Sequence, residues 1–437
     1  MATSMLPEYP LPAGDPPAYT SSPLADERTV AHNPRPGSSR NQTGQYVKTW
    51  KQATLILKDQ DENARFPVYS RGGLVDGEIG LTCPEGIIEV SAKLFGQMSV
   101  MAADCGSTGA VVVCDSRVLW TQEDPKDRCP SILPFAIRFP YTFTDPNGKT
   151  CKLPPSFETH YMGIPALFAK VVYTLTISIT KTRRYALASW TSSRMFTAVL
   201  DYRPRTRPQR PIVMVDSIFD SIKPIPEEWQ QHILTMEPRS DSGPGANAGG
   251  IECHFLIPSV QIYSITDSIP FHLQLCGSRE SLNELLPPNS SLLDPRLAGD
   301  SKRKESLDLS PTGPHPIRVY LARQIHVEVN GRKRYRTYTV GTSQMWPVPP
   351  VITRDGVEHS NVGNEVSLDW QGELKCRTEA MTASFYAGLL MVKDFIVVGL
   401  APYNIRSSFL LPVQLAYPVR LVTDSWVDQE VVHPQDL

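Results

Sequence analysis

Residues 168–180 read Phe-Ala-Lys-Val-Val-Tyr-Thr-Leu-Thr-Ile-Ser-Ile-Thr, and their alternation decides the fold. Ala169, Val171, Tyr173, Leu175, Ile177 and Ile179 fall on one side of an extended chain, while Lys170, Thr174, Thr176, Ser178 and Thr180 fall on the other. Side chains alternate with period two in a strand, so the stretch predicts an antiparallel strand with one face on a core and one in water. Residues 317–329 repeat the pattern with Val319, Leu321, Ile325 and Val327 inward. Asn330-Gly331 comes next, a pair suited to positive φ at both centres of a two-residue hairpin turn, and it leads into a further run at 335–340.

Similar runs occur at 52–58, 74–83, 87–100, 110–120, 135–140, 195–202, 253–263, 270–276, 366–376 and 384–400. About fifteen strands are too many for one sandwich, so the expectation is an all-β chain of two tandem antiparallel β-sandwich domains. Helical pattern is scarce. Residues 226–234 carry Pro in a first-turn position followed by acids, and 278–286 carry Leu282, Leu285 and Leu286 on one side, so each predicts a short peripheral helix.

Residues 1–46 hold eight prolines and only four Leu, Ile or Val, too little apolar surface to offset ordering entropy, and read as a disordered tail. The expected division is this tail at 1–46, a first sandwich at 47–210, a linker at 211–222, a second sandwich at 223–425 and a short tail at 426–437. Weakly apolar stretches at 237–250, 286–316 and 353–364 read as long surface loops.

The chain has 437 residues, with 43 Lys+Arg against 45 Asp+Glu, a net charge of −2. That balance argues against a general nucleic-acid binder, which needs a basic excess. Forty prolines are about 9% of the chain, near twice the usual ~5%, and demand loops, linkers and edge strands. The eight cysteines are too sparse for a disulfide scaffold, and the first residues show no basic region followed by an apolar run. Reduced thiols and a cytoplasmic location are the expectation, and no apolar run is long enough for a spanning helix.

No motif for catalysis stands out: there is no Gly-x-Ser-x-Gly, no phosphate-cradling glycine loop, no HExxH and no paired CxxC. Cys105, Cys114 and Cys253 read as core thiols, and His160, His232, His272 and His326 as single structural histidines. The chain therefore reads as a non-enzyme without a cofactor or metal.

Four separated stretches carry a resemblance. Gly72-Gly73-Leu74-Val75-Asp76-Gly77-Glu78-Ile79 is followed by Ile87-Ile88-Glu89-Val90-Ser91-Ala92-Lys93-Leu94-Phe95-Gly96, then Pro134-Phe135-Ala136-Ile137-Arg138-Phe139-Pro140, then Leu153-Pro154-Pro155-Ser156-Phe157 ahead of the Tyr173 strand. In order and spacing these resemble the N-domain of arrestin-like proteins from fungi, of the α-arrestin type. The resemblance implies a cytosolic adaptor of two curved sandwiches. Members of this type dock WW domains of HECT-type ubiquitin ligases through proline-tyrosine motifs and bring the ligase to a membrane transporter or receptor cargo, with peripheral recruitment to plasma membrane or endosomes.

The tail holds such motifs. Pro16-Pro17-Ala18-Tyr19 is a full PPxY, and Leu6-Pro7-Glu8-Tyr9 is the weaker LPxY form. Consecutive prolines preset a polyproline II backbone for an aromatic groove, and the tyrosine fills an adjacent pocket. Pro16, Pro17 and Tyr19, with Leu6, Pro7 and Tyr9 as a second site, are the candidate WW-binding residues. The alternative is a sorting scaffold of the same fold in which these motifs are incidental. Arg203, Arg205, Arg207 and Arg210 alternate with prolines and suit phosphate or headgroup oxygens, with a solvated linker as the competing reading. Lys302-Arg303-Lys304 and Arg332-Lys333-Arg334 read as ordinary loop charges, with lipid or phosphate contact the lesser alternative.

Overall fold

A computed structural model of the chain describes residues 44–61, 64–124, 126–185, 188–213, 218–222, 224–239, 249–287, 315–348, 365–377 and 382–426. Nearly all of the expected tail and most of the three expected loops lie outside these residues.

The first half of the chain supplies β1 (Gly44–Thr49), β2 (Ala53–Gln60), β3 (Val68–Tyr69), β4 (Leu74–Leu81), β5 (Ile87–Ala102) and β6 (Gly106–Thr121). It continues with β7 (Ile132–Arg138), β8 (Thr142–Thr144), β9 (Thr150–Lys152), β10 (Phe157–Tyr161), β11 (Leu167–Tyr185) and β12 (Ala188–Tyr202). One sheet runs β1-β2-β4-β7, the other β3-β12-β11-β5-β6 with β10 added to β11, and β8-β9 make a separate hairpin. Alternate residues of the two larger sheets meet in one core, with Leu55, Leu57, Val75 and Ile79 from the first and Leu94, Met98, Leu175 and Ile177 from the second. Tyr173, Leu175 and Ile177 are buried as their parity requires, while Lys170 and Thr176 reach solvent.

The second half begins with α1 (Ile218–Ile222), a single 3₁₀ turn at Pro226–Glu228, β13 (Trp229–Met236), β14 (Ile251–Pro258), β15 (Ile262–Ser264), β16 (Ser268–Ser278) and α2 (Arg279–Leu285). It ends with β17 (Ile317–Val329), β18 (Arg332–Val348), β19 (Glu365–Cys376), β20 (Phe385–Ala387), β21 (Leu390–Leu400) and β22 (Val413–Val422). These strands form one curled sheet, β13-β14-β16-β19-β18-β17-β21-β22-β15, with β20 on β21. β18 makes the corner between its two layers. Its first part pairs with β17 up to Thr342, its last part pairs with β19 from Gly341, and the β17 register shifts between Leu321 and Ala322. The corner needs Gly341, because a Cβ there would stand 2.5 Å from the Lys375 carbonyl and 2.8 Å from Leu321. The protein is thus all-β, two largely antiparallel sandwiches in tandem, with β3 on β12 and β15 on β22 as parallel pairs.

Ser278 caps α2 as its polar start predicts, its hydroxyl accepting from the Ser281 amide at 3.2 Å. The Asn330-Gly331 turn has φ of 52° and 75°. Four expectations are corrected. Residues 44–46 belong to β1, whose Tyr46 and Val47 pair with Leu57 and Ile56, so the tail expected to reach 46 gives way to a strand. Residues 226–234 form one 3₁₀ turn and then the strand β13, because ladder pairing from Trp229 to Met236 along β14 satisfies more backbone groups than a marginal nine-residue helix could. Arg332-Lys333-Arg334 sits on strand β18 and not in a loop. Cys253 is buried and Cys105 partly so, but Cys114 is exposed, since it faces outward opposite Phe95 on the edge strand β6.

Candidate functional site

The chemistry that singles out one place in this fold lies where the two halves meet. β17 and β21 each run through both cores. Ile317, Val319 and Leu321 belong to the second core, but Ile325, Val327 and Val329 pack into the first. On β21, Leu390 and Val392 join the first core, and Ile396, Val398 and Leu400 the second. At the crossing the inward positions are Arg323 and Asp394, direct ladder partners. Arg323 Nε donates to Asp394 Oδ1 at 2.8 Å and a terminal nitrogen to Oδ2 at 3.1 Å, with both side chains essentially sealed from water. Burial works against the guanidinium's charge, but the Asp394 carboxylate outweighs it and keeps Arg323 cationic. Ser384 completes the cluster, donating to Asp394 Oδ2 at 2.6 Å and accepting from the Leu421 amide at 2.8 Å. Burial also pushes the neighbouring Cys376 thiol up to about 11, which keeps it protonated and unreactive at neutral pH.

A cavity of about 420 Å³ opens beside this pair, walled by Ser156, Phe157, Glu158 and Thr159 of the first half and by Tyr338, Thr339, Val340, Arg377 and Thr382 of the second. Aromatic contacts span the seam: Phe157 meets Phe385 edge-on at 5.5 Å, and Tyr161 lies 5.6 Å from Tyr338. The seam is further closed by Arg334 to Asp104 at 2.7 Å and by Asn330, whose amide group donates to the Cys105 carbonyl at 2.8 Å. The cavity lining has hydroxyls, a carboxylate and guanidinium groups but no histidine or cysteine. Such a wall can hydrogen-bond a polar ligand or an extended backbone. Among the described residues, no group of three or more His, Cys, Asp or Glu is placed to hold a metal ion.

Pro16, Pro17, Tyr19, Leu6, Pro7 and Tyr9 lie outside the described residues. Three of the four connector arginines meet carboxylates, Arg203 in the first half and Arg205 and Arg210 in the second. Arg203 pairs with Asp201 at 2.7 Å, Arg205 forks onto both oxygens of Asp424, and Arg210 meets Glu228 at 3.2 Å and Ser259 at 2.7 Å. Burial alone would raise the Asp424 pKa, but the Arg205 and Thr423 bonds, with the charges of Arg205 and Arg207, hold it below its ordinary value. Thr206 and Thr423 exchange hydrogen bonds beside this pair, so the connector is strapped to the end of β22. None of the four arginines lines the seam cavity.

Arg323 and Asp394 are the residues that sequence reasoning passed over. A signal existed: Arg323 occupies the same parity as Leu321 and Ile325, so an inward charge was written into the β17 alternation, and Asp394 interrupts an apolar run in the same manner. What no pattern announced was that the two would be opposite one another. Fold and seam together define a class, an all-β protein whose two sandwiches share strands across a polar junction. No family model matches the chain, and no curated protein sequence matches it.

Proposed function

We propose that this protein is a non-enzymatic, arrestin-like adaptor that recruits a WW-domain HECT-type ubiquitin ligase to a membrane transporter or receptor, acting from the cytoplasm at plasma membrane or endosomes. The observation that carries the reading is the Pro16-Pro17-Ala18-Tyr19 motif, with Leu6-Pro7-Glu8-Tyr9 just before it, upstream of a scaffold whose first strand starts at Gly44. Two sandwiches with broad sheet faces suit simultaneous contact with a ligase and a cargo. Two linked motifs raise the effective concentration for a ligase with several WW domains.

Titration of a peptide of residues 1–25 against WW domains tests the reading. Tyr19→Ala is expected to weaken binding roughly tenfold or more, as loss of an anchoring aromatic does, and Tyr9→Ala to weaken it less. The double variant in the full chain should end ligase recruitment and leave thermal stability unchanged. Normal recruitment by the double variant would leave the sorting-scaffold alternative standing in its place.

A further inference from the structure

Met162 and Ile164 are the most exposed large apolar side chains of the described residues, at 92% and 98% of full accessibility. They flank Gly163 on the loop between β10 and β11. One exposed aliphatic side chain is ordinary, but two at the tip of one short loop leave an apolar knob that none of the described residues covers. The loop's base is held in place. The Ala103 amide donates to the Ala166 carbonyl at 3.0 Å, the Arg336 guanidinium donates to the Pro165 carbonyl, and the ring of Tyr161 rests against Tyr338.

The same contacts bring the start of β18 alongside. Residues 332–336 read Arg-Lys-Arg-Tyr-Arg, four cations in five positions. Arg334 is neutralised by Asp104 and Arg336 is turned to Pro165, but Arg332 and Lys333 are exposed and make no ion pair among the described residues. Glu328, the ladder partner of Lys333, is the other acid here. Tyr335, between Arg334 and Arg336, is 61% exposed. A protruding apolar tip, an exposed tyrosine and unpaired cations make up what a bilayer interface with anionic headgroups receives: carbon below the headgroup plane, aromatic ring at it and cations over it. A protein pocket for Met162 and Ile164 would give no reason for the exposed cations on the strand that Arg336 ties to this loop.

We propose that the Met162–Ile164 tip and the Arg332–Arg336 strand beside it form a contact for an anionic membrane surface. The contact rests on described residues and stands apart from ligase docking. It is tested with the full chain by co-sedimentation with vesicles of phosphatidylcholine alone or with about 30 mol % phosphatidylserine. Phosphatidylserine-dependent binding is expected, weaker at about 0.5 M salt than at about 0.1 M because the attraction is screened. The variant M162S/I164S should lower partitioning about tenfold or more, through loss of two buried apolar side chains. The variant R332E/K333E should lower it similarly and abolish the preference for phosphatidylserine. Both should melt as the wild type does, and Tyr19→Ala should bind vesicles normally, so failure here and failure of the ligase reading are separately visible. No binding to phosphatidylserine vesicles, or both variants binding like wild type, overturns the proposal. Concentration-dependent dimers that M162S/I164S dissolves would overturn it too, assigning the knob to a second copy of the chain.

Discussion

Tyr173 owes its place to a residue with no side chain. Directly across the ladder from it is Gly96, and a Cβ there would stand 2.6 Å from the tyrosine ring and 2.9 Å from Val112. The ring cannot swing aside, because its hydroxyl donates to the Pro154 carbonyl at 2.6 Å and Phe139 packs on it edge-on at 5.5 Å. Four separated stretches of sequence, those around Gly96, Phe139, Pro154 and Tyr173, converge on this aromatic node. The second sandwich repeats the device, with Phe271 lying over its ladder partner Gly372. Gly96→Ala is therefore expected to destabilise the protein by about 1–3 kcal/mol through overpacking, read as a lower midpoint in denaturant titration. An unchanged midpoint would mean that the ring has room the structure does not show.

At the scale of elements, β13 has the most consequential side chain of the strand that was expected to be a helix. His232 stacks on Tyr417 of β22 with ring centroids 3.8 Å apart, and its buried Nε2 has no hydrogen-bond partner among the described residues. Burial lowers its pKa, so the unfolded chain binds a proton more readily than the folded one. Its contribution to stability is complete above about pH 6.5, the unfolded value, and is lost as pH falls through the lowered folded value. Melting temperature should thus be flat between about pH 8 and pH 7, fall as the pH drops below about 6.5, and fall less in His232→Phe. His326, lowered by burial and by Lys393 and Lys333, acts in the same direction and accounts for the slope that remains. A full slope in His232→Phe would remove His232 from this role. The strands with clean alternation, such as 168–180 and 317–329, were legible because one face of each is apolar throughout. β13 was not, since Gln230, Gln231 and His232 break the period and only its ladder with β14 makes it a strand. The seam was less legible still, as its parts are separated in sequence and only the pairing of β17 with β21 unites them.

For the whole molecule, the sharing of strands matters more than the number of sandwiches. Seven residues of the second half, Ile325, Val327, Val329, Ala387, Leu389, Leu390 and Val392, are buried in the first core. Unfolding either half strips apolar cover from the other, and contact of this kind makes transitions coincide. Calorimetry of the full chain should show one cooperative transition. Two well-separated peaks would mean that the halves unfold independently despite the shared core.

The charge at the crossing of β17 and β21 also settles an ambiguity of alignment. From Ile317 to Val329, every second residue of β17 is a branched aliphatic except Arg323, and β21 from Leu390 to Leu400 is the same except Asp394. Were those two positions also aliphatic, sliding one strand by two residues would keep every apolar side chain facing inward, and the hydrophobic effect would barely distinguish the frames. With the pair in place, such a slide sets Arg323 opposite Ile396 or Val392 and leaves Asp394 buried without its partner. The ion pair thus acts as a reading mark between two repetitive strands, singling out one frame among several that greasy residues alone would accept.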